Sequence, residues 1–310
     1  MTALHEDSDG AVGGLSALVL GCLLVGASST FIKLADTSAD TAAFHRCALA
    51  LPAFLPWVLW ECRRHGRPST RMVRLSAAAG ALLGVDYLMW TQSILDAGAG
   101  VATVLIGIQV VALPVLARVF LSERIQRRFL IALPVMLVGL GLTGGLVSAD
   151  PEAPHPIRGA VLGLTAGVCY AGFLLLIRPA SRTNRRLVIT PTAVATTSAA
   201  ATIGLAGGLR QSIDLTPEPS SWLWLLAVAL AGQALSFGLI GYGSVRLPAD
   251  RAAAVMLLQP VAAILLGTLV LGERPAVSQY VGMAVTIGAV SAVTLVRTPR
   301  ITPAGRAPSR

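Results

Sequence analysis

The chain has 310 residues, 55% of them hydrophobic and 13% charged, with a mean hydropathy of +0.73. An ordinary soluble domain is about a quarter charged, so this composition excludes one and points to an integral membrane protein. The net charge of +9 rests almost wholly on arginine, with Lys33 the single lysine, and it is scattered over short polar stretches rather than gathered into the basic domain that a nucleic-acid partner would need.

The N-terminal stretch MTALHEDSDG carries acidic residues where a secretory signal carries positive ones. Residues 1–11 therefore read as a cytoplasmic tail and the apolar run behind them as a retained span. Ten continuous apolar windows follow, near 12–34, 41–60, 73–95, 99–121, 129–147, 159–179, 188–208, 221–244, 250–271 and 276–296. Each approaches the ~20 residues that a helix needs to cross a bilayer. They are continuous rather than alternating, which favours helices over a barrel, since lipid offers no partner to an open backbone. The expected fold class is all-α integral membrane with ten transmembrane helices.

Span two begins AFHRCALALPAF, with His45 and Arg46 near its start. The histidine reads as a solvated helix-end residue; the arginine lies about 8 Å into the helix. Span three contains GVDYLMW, residues 84–90. At 1.5 Å per residue Asp86 lies about 20 Å along this helix and thus near the bilayer midplane. A charge there costs on the order of 3 kcal/mol, so it should face a cavity or a partner. Trp90 and Ser93 follow on the same stripe and Tyr87 borders it, a combination suited to an amphipathic solute. Asp86 can serve as the counter-ion of an amine or as a proton carrier. The structural alternative is an ion pair with Arg46 that locks two helices.

Gln109 in span four and Gln259 in span nine must each find a partner in lipid, either across helices or in a cavity. Tyr170 in span six and Gln233 and Ser236 in span eight extend this polar set. Arg118 and Arg178 sit near the cytoplasmic surface, where their stems can snorkel. Glu123 and Glu273 stand at helix ends beside arginines and read as local caps or ion pairs. Cys22, Cys47, Cys62 and Cys169 are far apart, with no CxxC pair or zinc-type histidine spacing, so no disulfide framework, metal site or cofactor is expected.

The loops on alternate sides differ in basic residues. One side holds Arg63, Arg64, Arg67, Arg71 and Arg74, then Arg124, Arg127 and Arg128, then Arg182, Arg185 and Arg186, then Arg246 and Arg251, and finally a basic tail, 297–310. The other side holds Arg158, Arg210 and Arg274. By the positive-inside rule an even number of spans has both termini in the cytoplasm, and the expected location is the cytoplasmic membrane.

Residues 99–124 lie over residues 249–274 without a gap, setting Gln109 on Gln259, Glu123 on Glu273 and Arg124 on Arg274. More weakly, GASSTFIKLA, 26–35, lies over AGFLLLIRPA, 171–180, pairing Lys33 with Arg178. The chain thus divides into a five-span repeat, 12–147, an outer linker, 148–158, and a second five-span repeat, 159–296. Because five is odd, the second copy enters from the opposite face, an inverted repeat of the kind that recurs in secondary transporters.

The segment 247–290, with Pro260 mid-helix and Leu271, Gly272 and Glu273 at the helix end, resembles the last two spans of the EamA-type branch of the drug/metabolite transporter superfamily. The first-half copy departs from that pattern, with Val110 at the proline position, Pro114 one turn later and Ser122 in place of the glycine. Arg46 near the start of span two is similar to an arginine common there in the family. The resemblance implies a secondary carrier, often an exporter of metabolites or drugs, with a central cavity between spans one to four and six to nine. The cavity residues expected are Arg46, Asp86, Tyr87, Trp90, Gln109, Ser236 and Gln259, with Glu123, Pro260, Gly272 and Glu273 structural or hinge positions.

Rival classes lack their signatures. There is no DDxxD pair for intramembrane prenyl transfer, no Walker sequence for an ATP-driven pump, and no charge ring or filter-like loop for a channel. Short hydrophilic loops leave little for a membrane scaffold. The partners expected are a small-molecule substrate and membrane lipid; a homodimer is not readable from sequence.

Overall fold

A computed structural model describes residues 2–97, 102, 105–143, 155–184, 186–272 and 276–294, and all regular structure among them is helical. The elements are α1 (Thr2–Ala35), α2 (Ala39–Ala48), α3 (Ala50–His65), α4 (Thr70–Ala97), α5 (Gln109–Leu121), α6 (Arg127–Thr143), α7 (Pro156–Thr183), α8 (Thr190–Arg210), α9 (Pro219–Ala227), a π-helical segment (Val228–Leu235), α10 (Ser236–Arg246), α11 (Ala249–Met256), α12 (Leu258–Leu271) and α13 (Val277–Thr294).

Among the described residues, seven stretches are long and apolar enough to cross a membrane: Val12–Ala35, Asp40–His65, Thr70–Ser93, Ile157–Thr183, Thr190–Arg210, Pro219–Arg246 and Ala249–Leu271. The chain is therefore an all-helical, multi-pass membrane protein. Gln109–Leu121 and Val277–Val293 are shorter apolar helices, and α6 has 17 residues. These three fall on the windows expected near 99–121, 276–296 and 129–147, parts of which lie outside the described residues. Glu273, Arg185 and Arg274, most of the 148–158 linker and the 297–310 tail also lie outside them.

Prolines set the interruptions inside spans. Pro52 offers no N–H to the Ala48 carbonyl and crowds it, so α2 ends at Ala48 and α3 begins at Ala50. Pro260 does the same to Met256, and Leu257 turns the chain between α11 and α12. At the equivalent register of the first half, Gly107 and Ile108 turn without a proline. There the Ile108 amide donates to Leu105 and the Val110 amide to Gly107, the tighter three-residue pattern. Both α5 and α12 close on a left-handed residue, Ser122 at φ 54° and Gly272 at φ 66°, whose amides reach back to the carbonyls of Ala117 and Gly267. The sequence departure at Ser122 thus leaves the cap unchanged.

Helix α4 lies against α7 and α8, while α1 lies against α10 and α12. Helix α5 packs on α7 and α11, α2 and α3 pack on α8, and α6 pairs with α13. Without a hydrophobic drive between helices in lipid, such contacts depend on small residues that let backbones approach. Gly80 of α4 meets the Ala195 backbone where a Cβ would stand, and a Cβ on Gly26 would come 2.7 Å from the Gln259 carbonyl oxygen.

Charges tie the bundle at both ends. At the arginine-rich end the buried Glu61 carboxylate accepts the amides of Val188, Ile189 and Thr190 at 2.8–3.0 Å and the Thr190 hydroxyl at 2.6 Å. It thereby caps α8 from the end of α3, satisfying amides that the first helical turn cannot. At the other end Arg158 donates from Nε and Nη2 to Asp96 at 2.6 Å each, and Gln92 adds a bond of 3.0 Å.

This forked pair holds the Asp96 carboxyl down at about 2, chiefly through the Arg158 hydrogen bonds. A depressed folded value means the contribution to stability is complete above the unfolded carboxylate value, about 4, and vanishes as pH falls through about 2. Thermal melts of wild type and Asp96→Asn should differ at pH 7, with wild type the more stable, and the difference should close between about pH 4 and pH 2. A pH-independent difference would assign the loss to packing rather than to the ion pair.

Candidate functional site

Near the middle of the bundle α4 turns Asp86, Tyr87 and Trp90 toward a cavity of about 110 Å³. Asp86 and Trp90 are one turn apart and so share a face. Arg46 of α2, Gln109 of α5, and Gln259 and Pro260 of α12 complete the polar wall, with Tyr170 of α7 and Phe237 of α10 beside them. Ser28, Ser29 and Ile32 also border it. They lie in the last turns of α1, so the cavity extends toward the arginine-poor end.

A hydrogen-bonded hub fixes one side. Gln233, fully buried in the π-helical segment, accepts at Oε1 from Arg46 Nε and from the Tyr87 hydroxyl, both at 2.9 Å, and donates from Nε2 to Thr196 at 3.2 Å. The Gly232 carbonyl accepts from Arg46 Nη2 at 2.7 Å and from the Ser236 hydroxyl at 2.6 Å. The guanidinium also lies 4.8 Å from the Tyr87 ring centre and 5.4 Å from that of Phe237, so its charge is spread over aromatic faces. π-Helical turns are rare and recur at functional positions; here the wider turn brings both a carboxamide and a carbonyl to one guanidinium.

The opposite side is unsatisfied. Asp86 Oδ1, Trp90 Nε1 and Gln109 Oε1 are buried and have no hydrogen-bond partner among the described residues. Asp86 is 2% exposed and Gln109 5%. Gln259 is only loosely held, its amide 3.4 Å from the Tyr170 hydroxyl and 3.9 Å from Cys22 Sγ.

Toward the arginine-rich end lies an ionic cluster. Glu123, just past α5, lies 3.5 Å from both Arg178 Nη1 and Arg182 Nη2 and accepts the Ala249 amide at 3.2 Å. Arg178 Nη2 donates to the Leu247 carbonyl. Asp250 accepts the Gln126 amide at 2.9 Å. Each of these contacts joins one half of the chain to the other or draws second-half segments together beneath the cavity.

Several expectations change. Arg46 and Asp86 do not form an ion pair among the described residues; Arg46 lines the same cavity but donates to Gln233 and Gly232 instead. Ser236 is not part of the cavity wall, because its hydroxyl is spent on its own helix at Gly232. Arg178 does not snorkel: it is 1% exposed, held between Glu123 and Leu247. His45 is buried rather than solvated, with Nδ1 2.9 Å from the Thr41 carbonyl oxygen and its ring edge-on to Trp222. Of the two readings of Glu123, local cap or ion pair, the ion pair is the one present, and its partners are Arg178 and Arg182 of another helix. Sequence reading passed over Glu61, Asp96 and Asp250, all buried at helix ends, where a charge is ordinarily solvated and carries no signal.

A helical, multi-pass membrane protein with a polar cavity among its helices has the architecture of a membrane transporter. The chain matches the EamA-like transporter family over residues 12–145 and 157–295. It is 28% identical over 277 residues to an uncharacterised transporter of Archaeoglobus fulgidus, covering 89% of this chain and 94% of that protein. It is 29% identical over 292 residues to the uncharacterised transporter YcbK of Bacillus subtilis, covering 88% and 89%. A protein crystal structure at 16% identity superposes with a TM-score of 0.71, covering 93% of this chain and 97% of that one, which shows a shared fold. The protein belongs to the EamA-like transporter family and is a membrane transporter.

Removing the hub should cost more than removing one of its donors. Gln233→Leu strips Arg46 and Tyr87 of an acceptor and should destabilise by about 2–4 kcal/mol, whereas Tyr87→Phe should cost about 1 kcal/mol. Thermal unfolding in detergent should rank wild type above Tyr87→Phe and Tyr87→Phe above Gln233→Leu; the reverse order would deny Gln233 its central place.

Proposed function

We propose that the protein is a secondary carrier that exports a small organic solute across the cytoplasmic membrane by alternating access, with ten spans in two inverted halves and both termini in the cytoplasm. The observation that carries this reading is the central cavity, into which Asp86 brings a carboxylate oxygen with no hydrogen-bond partner among the described residues, together with the Glu123 ion-pair cluster toward the arginine-rich end. The packing pattern supports the paired halves: α1 lies on α10 and α12, and α7, its counterpart, lies on α4 and α5. Two similar halves that exchange conformations would expose one site to each face in turn. The positive-inside pattern supports the orientation, and export follows the family resemblance.

Asp86 is the coupling position. Its carboxylate either takes up a proton on one face and releases it on the other, or meets the charge of the solute directly. The Glu123 cluster is the cytoplasmic gate. Buried ion pairs gain little net stability, and Arg178 Nε and Nη1 and Glu123 Oε1 make no hydrogen bond among the described residues, so opening to water would cost this cluster less than it would a fully bonded one.

Untargeted comparison of solutes inside and outside cells tests the carrier at matched membrane expression of wild type, Asp86→Asn and an empty vector. Wild type should shift particular solutes, and Asp86→Asn should reduce that shift at least about tenfold. No shift by wild type would sink the carrier in favour of a scaffold, and equal shifts would remove Asp86 from the mechanism. The gate is tested with Cys22, fully buried beside Gln259, after Cys47, Cys62 and Cys169 are replaced by alanine. In inside-out vesicles an impermeant maleimide should label Cys22 several-fold faster in Glu123→Gln than in the Glu123 parent; equal rates would refute the gate.

A further inference from the structure

The cavity's unsatisfied atoms form a specific complement. Among the described residues two are acceptors, Asp86 Oδ1 and Gln109 Oε1, and one is a donor, Trp90 Nε1. A buried polar group without a partner costs ~1–3 kcal/mol, more when charged, so a solute that supplies two N–H donors and one acceptor recovers the most. The rest of the wall is largely apolar and aromatic, including Ile32, Leu140, Tyr170 and Phe237.

Charge narrows the class. Arg46 is the cation of the cavity wall, and its Nε and Nη2 are already committed to Gln233 and Gly232. These use two of the five guanidinium N–H groups, and the charge is also spread over the Tyr87 and Phe237 rings, whereas Asp86 Oδ1 has no hydrogen-bond partner among the described residues, so a cation gains more at the carboxylate than an anion gains at Arg46. A polyhydroxylated solute would meet more apolar wall than polar partners. A neutral apolar solute would leave Asp86 and Gln109 as they are. A quaternary ammonium would supply charge but no N–H, leaving both acceptor atoms without a hydrogen bond.

We propose, building on the carrier reading of this cavity, that the substrate class is a primary or secondary ammonium with an apolar body and an oxygen acceptor a few atoms from the nitrogen. The ammonium donates to Asp86 and Gln109, the oxygen accepts from the Trp90 indole, and the apolar body lies against Phe237 and Leu140. Gln109 and Trp90 are then specificity residues: Gln109 counts the N–H donors and Trp90 reads the oxygen.

Equilibrium binding to the purified full-length protein tests this with four probes: 2-amino-1-phenylethanol, its N,N,N-trimethyl derivative, 2-phenylethylamine and mandelate. The amino alcohol should bind wild type at least about tenfold more tightly than the trimethyl derivative or mandelate, and several-fold more tightly than 2-phenylethylamine. Asp86→Asn should weaken it about tenfold or more and Gln109→Leu several-fold, while Trp90→Phe should abolish the preference over 2-phenylethylamine alone. Thermal melts establish that each variant is folded. Equal or tighter binding of mandelate or the trimethyl derivative overturns the proposal, as does undiminished amino-alcohol binding in folded Asp86→Asn, or failure of both amines to bind wild type. The carrier reading is judged separately: solutes shifted by wild-type cells that lack an amine would leave the carrier standing and the amine class refuted.

Discussion

A guanidinium confined within a membrane bundle needs partners for its donors, and Arg46 finds them in one residue pair, Gln233 and Gly232. Lipid offers no substitute for water, so this requirement governs much around it. It draws the last turn of α2 against span eight, explains why span eight widens into a π-helical segment where those acceptors lie, and orients Tyr87 through the shared carboxamide oxygen. With Tyr87 held, Asp86 and Trp90 on the same helix are held too. The cavity's geometry therefore descends from the satisfaction of one buried charge.

The same rule shapes the backbone. Interrupted helices are tolerated at membrane depth only where protein re-satisfies the freed groups, and the breaks at Gly107–Ile108 and Leu257 both lie beside cavity residues. They put Gln109 and Gln259 at matching places in the two halves. Yet the amides have different surroundings, Gln109 Oε1 unpartnered and Gln259 loosely bonded to Tyr170. Under the proposed alternating-access reading, shared architecture with unshared chemistry would let the halves move alike without binding alike.

Much of this was legible in the sequence because the bilayer imposes costs that composition must answer. Continuous apolar windows marked the helices, and the expense of a midplane carboxylate singled out Asp86 before any cavity was visible. Pro260 signalled a break because its ring forbids the regular ladder. Gln233 was visible as a buried amide, but its role at the centre of the hub depends on α2 lying beside span eight, which no spacing along the chain encodes. Arg178 and His45 were misjudged for a related reason: residues near a helix end reach water only if no neighbouring helix covers them, and α5 with the Leu247 turn covers one while Trp222 covers the other. Glu61 was missed because an acid beside Arg63 and Arg64 looks solvated, although it caps α8.

The two ionic assemblies differ in a way that bears on motion. The Arg46 hub and the Glu61 cap give their charges short, aligned hydrogen bonds, and breaking either would strand a buried charge. The Glu123 cluster holds its arginines at 3.5 Å, with Arg178 buried and two of its nitrogens unbonded among the described residues. Such an arrangement gains little from staying closed, because water would solvate each group at least as well. A carrier that cycles between two faces needs helices that move as rigid bodies and a contact that yields between them. The Arg46 hub and the Glu61 cap join the two halves of the chain as the Glu123 cluster does, so in the proposed cycle α2 and α3 would travel with span eight and α8, and the Glu123 contact, the least well satisfied of the three, would be the one to yield.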